Sequence, residues 1–106
     1  MVVDAWVRLA PGEAWADGEG RAFEVRGREI AVFRADGHYF ALDQRCPHRG
    51  GPLSLGLVAT GVVTCPWHGW RFELSSGRSA VNPTLAVRSY PTELRDGWVW
   101  VRLDAN

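Results

Sequence analysis

Residues 44–56 read QRCPHRGGPLSLG, and residues 65–72 read CPWHGWRF. Each stretch is rich in Pro and Gly, and each holds one Cys and one His: Cys46 and His48 in the first, Cys65 and His68 in the second. They interrupt a chain that otherwise alternates between short apolar runs and turn signals, a pattern that predicts strands and little helix. Before the first loop, Val2–Leu9 is a strand candidate. Arg21–Arg26 and Glu29–Arg34 flank Gly27 as a hairpin, and Asp36-Gly37 turns the chain into His38–Leu42. Gly61–Thr64 leads into Cys65, and Arg71–Leu74 leaves the second loop before the Ser75-Ser76-Gly77 turn. Val87–Leu94 and Trp98–Leu103 form a last hairpin across Asp96-Gly97. Within it Trp98 and Trp100 share one face while Val99 and Val101 share the other. Strand candidates at this spacing predict an all-β sandwich or small barrel.

The chain has 106 residues, with 46% hydrophobic and 23% charged. That length predicts one domain, on a prior of roughly 100–200 residues per domain. It leaves no room for a separate catalytic domain. Twelve basic residues, all Arg, balance twelve acidic ones, so no basic block points to nucleic acid. No apolar run reaches the ~18 residues of a membrane span, and Met1–Pro11 carries Asp4 and Arg8 where a signal peptide has its apolar core. The expectation is a soluble, cytoplasmic protein without a membrane partner. In that compartment two cysteines point to metal binding or catalysis before a disulfide.

Cys46-x-His48 and Cys65-x-x-His68 present two thiols and two imidazoles, the donors that borderline and soft metals prefer. Pro47 and Pro66 fix the backbone after each Cys. Gly50, Gly51 and Gly69 let it curl close to a metal centre with its N–H groups turned to sulfur. Two centres fit that inventory. A tetrahedral zinc ion is one, although zinc fingers usually place both Cys on one knuckle and both His on a helix. The other is a [2Fe–2S] cluster of Rieske type, in which two Cys hold one iron and two His the other. Mixed knuckles suit the two-iron unit better.

CPHRGGPLSLG and CPWHGWRF resemble the two cluster-binding loops of soluble Rieske ferredoxins and of oxygenase Rieske domains. Gly77 and Asn82-Pro83 resemble the third, proline-containing loop that covers the cluster. The likeness runs from about His38 to Leu103. It implies an antiparallel β-sandwich with a small cluster-binding subdomain, here about residues 43–83, and one [2Fe–2S] cluster. Cys46 and Cys65 would bind one of its irons, His48 and His68 the other. Respiratory and photosynthetic members add a Cys to each loop and pair them in a disulfide; those places hold Gly51 and Trp67 here. Hydroxyl residues that donate to sulfur in that high-potential group match Trp70 and Phe72, which cannot donate in that way. Oxygenase subunits add a mononuclear iron site, for which only His38 is left over.

The function implied is a one-electron carrier between a flavin-containing reductase and a terminal oxygenase, with no catalytic residue of its own. The alternatives are the small subunit of an NAD(P)H nitrite reductase, whose partner is the large subunit, and a structural zinc module. Among the remaining residues, His38 reads as exposed or hydrogen-bonded, and Trp6, Trp98 and Trp100 as core. Trp67 and Trp70 are candidates for a partner surface, and Arg45 and Arg49 for guiding a partner in.

Overall fold

Arg28–Ala35, REIAVFRA, is apolar along most of its length, and the reason is its place at the centre of the molecule. A computed structural model describes residues 5–47, 50–67, 69–82 and 84–103. Among these residues the strands are β1 Trp6–Pro11, β2 Gly20–Val25, β3 Arg28–Ala35, β4 His38–Asp43 and β5 Leu57–Ala59. They continue with β6 Val62–Thr64, β7 Arg71–Glu73, β8 Ser89–Tyr90, β9 Thr92–Arg95 and β10 Trp98–Arg102. Short 3-10 turns occupy Gly12–Ala14 and Leu53–Leu55. All pairing is antiparallel, in three sheets ordered β1-β10-β9, β2-β3-β4-β8 and β5-β6-β7. No helix among the described residues is long and apolar enough to cross a membrane.

The expected sandwich is present as the first two sheets, and the third sheet adds a layer. Alternate residues of β3 point to opposite sides. Ile30 and Val32 pack with Trp15, Val99 and Val101 against the basal sheet, β1-β10-β9. Ala31, Phe33 and Ala35 pack with Leu53, Val63, Phe72 and both cysteines on the other side, under β5-β6-β7. A strand buried on both faces has no polar side to show, so its sequence does not alternate. Two-residue turns set the register: in β3–β4 Ala35 pairs with His38, and Asp36 (φ 53°) and Gly37 (φ 78°) are both left-handed. That matches the twist of the flanking strands.

Two expectations needed correction. Val87–Leu94 is not one strand. It breaks at Pro91, so β8 pairs with β4 in the middle sheet while β9 pairs with β10 in the basal sheet. Proline has no N–H for a ladder and suits such a crossing. β5 went unforeseen, its sequence Leu57–Ala59 following directly on the Gly-rich first loop. Trp6, Trp98 and Trp100 are not core residues. Val99 and Val101 are fully buried, which turns the tryptophans of β10 to the outer face of the basal sheet at half-burial. The core tryptophan is Trp15, 2% exposed, with Nε1 donating to the Glu19 carbonyl at 3.0 Å. The first strand starts at Trp6, and residues 2–4 of the expected one lie outside the described residues.

Tyr90 fastens β8 to β4. Its hydroxyl donates to Asp43 Oδ1 at 2.6 Å, and the Arg88 N–H donates to Asp43 Oδ2 at 3.0 Å. Burial, then the neighbouring Asp43, raises the phenol pKa above its ordinary value. The fold therefore favours the neutral phenol. The contribution is complete below the unfolded pKa of about 10 and is lost as pH rises through the folded one. Tyr90→Phe should cost about 1.5–3 kcal/mol at pH 7, the range for a hydrogen bond to a charged acceptor. Urea unfolding at pH 7 and above pH 10 checks this: the gap between wild type and variant must narrow at the higher pH.

Candidate metal centre

The first cysteine loop is a closed excursion from the end of β4. At its base the Leu53 N–H donates to the Gln44 carbonyl at 2.8 Å, and the Ser54 N–H donates to Gln44 Oε1 at 3.0 Å. Arg45 and Pro52 form an isolated bridge. Nearer the tip, the Cys46 N–H donates to the Gly51 carbonyl at 2.9 Å and the Gly50 N–H to the Cys46 carbonyl at 2.7 Å. The second loop joins β6 to β7, and the Cys65 N–H donates to the Trp70 carbonyl at 2.6 Å to close it.

These closures bring the two cysteines into one packed cluster with Phe33 and Phe72. Cys46 is 2% and Cys65 1% exposed, and neither is in a disulfide. Burial raises the Cys65 thiol pKa, and the neighbouring Cys46 side chain raises it further. The Trp67 backbone N–H acts the other way, by hydrogen bonding to the sulfur. The Cys65 thiol, in a dry site beside a second sulfur, thus resists ionising. A metal cation removes both objections, since a coordinated thiol is deprotonated outright. The sulfur environment thus fits an iron–sulfur cluster.

Where the loops cross, there is room for a hydrogen atom and little else. A Cβ added to Gly51 would lie 2.8 Å from Cys65 Sγ and 3.1 Å from Trp67 Cβ. Gly51 and Trp67, the positions that the resemblance marks for a disulfide, therefore face each other without a cysteine at either. His48, Arg49 and His68 lie outside the described residues, as does Pro83 of the third loop. Among the described residues no cluster of three His, Cys, Asp or Glu side chains stands ready for a metal.

The third loop grows from Gly77, whose carbonyl accepts the Val87 N–H at 2.8 Å. Asn82 Oδ1 accepts from the Thr84 N–H at 3.1 Å and Oγ1 at 2.7 Å. Ser79 Oγ accepts from the N–H groups of Val81 and Asn82. The Ala80 N–H donates to the Arg71 carbonyl at 2.9 Å, which fastens this loop to β7 just beyond the second cysteine loop. Between the two lies a hollow of about 330 Å³ lined by Gly69, Trp70, Arg71 and Ser79 among others.

Of the remaining candidates, Trp67 is half exposed, while Trp70 packs against the cysteine core. Arg45 is drawn to Glu29. His38 is exposed at the start of β4 and takes no part in the centre. Sequence reasoning missed Gln44, which closes the first loop through its side chain as well as its backbone. Its only signal is a polar side chain at the base of a Pro/Gly-rich excursion.

The pattern of the Rieske [2Fe-2S] domain matches residues 5–91. A 4beta-methylsterol monooxygenase from Methylococcus capsulatus is 39% identical over 87 residues, covering 71% of this chain and 23% of that protein. The chain spans less than a quarter of the length of the curated relatives it matches first. Among solved structures, the ferredoxin of carbazole 1,9a-dioxygenase from Nocardioides aromaticivorans IC177 superimposes with a TM-score of 0.88 at 27% identity, covering 95% of this chain and 100% of that one. A proposed NADH-dependent nitrite reductase small subunit from Mycobacterium tuberculosis has a TM-score of 0.92 over 99% of this chain and 100% of its own. Its 24% identity speaks to the fold alone. Because the matched pattern takes in both cysteine loops and most of the strands around them, the chain belongs to the family of Rieske [2Fe–2S] domains.

Proposed function

We propose that Cys46 and Cys65 hold one iron, and His48 and His68 the other, of a single Rieske [2Fe–2S] cluster. In this reading the chain is a cytoplasmic one-electron carrier that takes electrons from a flavin-containing reductase and delivers them to a terminal oxygenase. The observation that carries it is the pair of buried cysteines joined in one core at the crossing of two loops. The full-length likeness to a dioxygenase ferredoxin supports the role. A bound cluster accepts and returns one electron; the chain's own residues exclude water from the sulfurs, hold the loops and present an edge to partners. Half-exposed Trp67, next but one to Cys65, supplies part of that edge.

The potential tests the assignment. Two neutral imidazoles in place of two thiolates lift a Rieske centre above plant-type ferredoxins near −400 mV. Within the Rieske range, donors to sulfur stabilise the more negative reduced state and raise the value. Phe72 is fully buried in the cysteine core and Trp70 packs against it, so neither position brings a hydroxyl. Backbone N–H groups such as that of Trp67 remain. The expected midpoint is at the low end, about −150 mV, within reach of a reduced flavin. Voltammetry of the purified protein at neutral pH measures it. A midpoint above about +100 mV, in the upper part of the Rieske range, overturns the ferredoxin reading.

A further inference from the structure

The outer face of the basal sheet carries a lattice of tryptophan and arginine for which the metal centre has no use. With Val99 and Val101 turned inward, β10 shows Trp98, Trp100 and Arg102 outward, beside Trp6 and Arg8 of β1 and Glu93 and Arg95 of β9. The register sets Arg8 opposite Trp100 and Arg95 opposite Trp98. Each guanidinium nevertheless leans diagonally onto a different ring. Arg8 Cζ stands 4.4 Å from the Trp98 ring centre, and Arg95 Cζ stands 4.8 Å from both Trp100 and Trp6.

A guanidinium stacked in this way uses its flat face on the indole and keeps its N–H edge for a carboxylate. One carboxylate is already there: Glu93 Oε1 accepts from Arg95 Nε at 2.7 Å. Among the described residues no carboxylate pairs with Arg8. The Trp100 indole N–H is covered and has no acceptor among them. Trp and Arg are the residues that carry most binding energy at protein interfaces. Among the described residues of this face, Arg8 and Arg95 stand beside one acid, Glu93.

We propose that this face docks an acidic segment of a partner protein. The middle sheet stands between it and the cysteines, since Ile30 and Val32 face the basal core while Phe33 lies with Cys46 and Cys65. A partner bound at the base leaves the cysteine loops open to a second protein. The occupant is a polypeptide acid, not a phosphate polyanion, because the chain as a whole has zero net charge and sets up no broad field to gather one. Recognition here depends on short-range forks and on apolar contact with indole edges.

The test uses the holoprotein, ¹⁵N-labelled, with an octaglutamate peptide as probe and inorganic polyphosphate as the competing anion. The expected result is saturable movement of the Trp6, Trp98 and Trp100 indole N–H signals while those of Trp67 and Trp70 stay in place. Arg8→Glu should weaken the peptide at least tenfold, Arg8→Gln less, and added salt should weaken it further. Arg71→Glu, at an exposed position of β7, should leave the affinity unchanged. An unaltered visible spectrum and melting temperature show that each variant is folded. Indole signals that do not move at about 1 mM peptide, where an affinity of ordinary weak-complex strength registers, overturn the proposal. So does undiminished binding by Arg8→Glu, or tighter binding of polyphosphate than of peptide at these indoles.

Discussion

Cys46→Ser and Cys65→Ser should each abolish cluster incorporation, leaving a colourless protein with neither iron nor acid-labile sulfide. Serine offers no thiolate, and the positions are 2% and 1% exposed, so the new hydroxyl would sit among the apolar side chains of the core. The variants should also be much less stable than the holoprotein. A centre assembled from two separate loops returns its ligation free energy as folding free energy. A buried hydroxyl without a partner adds a cost of about 1–3 kcal/mol. Iron and sulfide analysis with a thermal melt provides the check. Full cluster content in either variant would show the ligand assignment to be wrong. Zinc without sulfide in the wild type would return the centre to the structural-ion alternative.

Gly77→Val should have a large effect while leaving every proposed ligand in place. The residue is left-handed (φ +77°), and a Cβ there would lie 2.1 Å from the Val87 carbonyl oxygen. A β-branched side chain in that backbone region costs about 1–3 kcal/mol, and forcing atoms into occupied space about 1–3 kcal/mol more. Together these approach the lower end of the 5–15 kcal/mol by which domains are ordinarily stable. Gly37→Val is the control. Its φ is +78°, and nothing lies within 4 Å of an added Cβ. Urea midpoints should place Gly77→Val well below Gly37→Val, and equal midpoints would mean that the Val87 contact is without consequence.

What the sequence shows plainly is what local chemistry decides. Asp36-Gly37 and Asp96-Gly97 are legible as hairpin turns because left-handed backbone demands such residues. The two loops are legible because Cys, His, Pro and Gly recur together. Less legible is anything that depends on which of two apolar faces meets the core. Along Trp98–Arg102 both faces look hydrophobic, and a partner sheet chose the valines. Trp15 follows a 3-10 turn where no periodicity announces burial. Pro91 is visible, yet only the pairing of β8 and β9 with different sheets shows it to be a crossing point. The contact of Gly51 with Cys65 joins residues fourteen apart in sequence through two loops, a distance that no local pattern reaches.

The central strand belongs to two cores at once, with Ile30 and Val32 facing one and Ala31 and Phe33 the other, all fully buried. Its amides cannot meet water by the opening of either layer alone, since the remaining layer still covers one side. Deuterium should therefore enter residues 30–33 only through global unfolding, while the ends of β9 and β1 exchange by local fraying. Loss of the metal and loss of the base should register at those same amides, making them a single gauge of the integrity of the whole molecule.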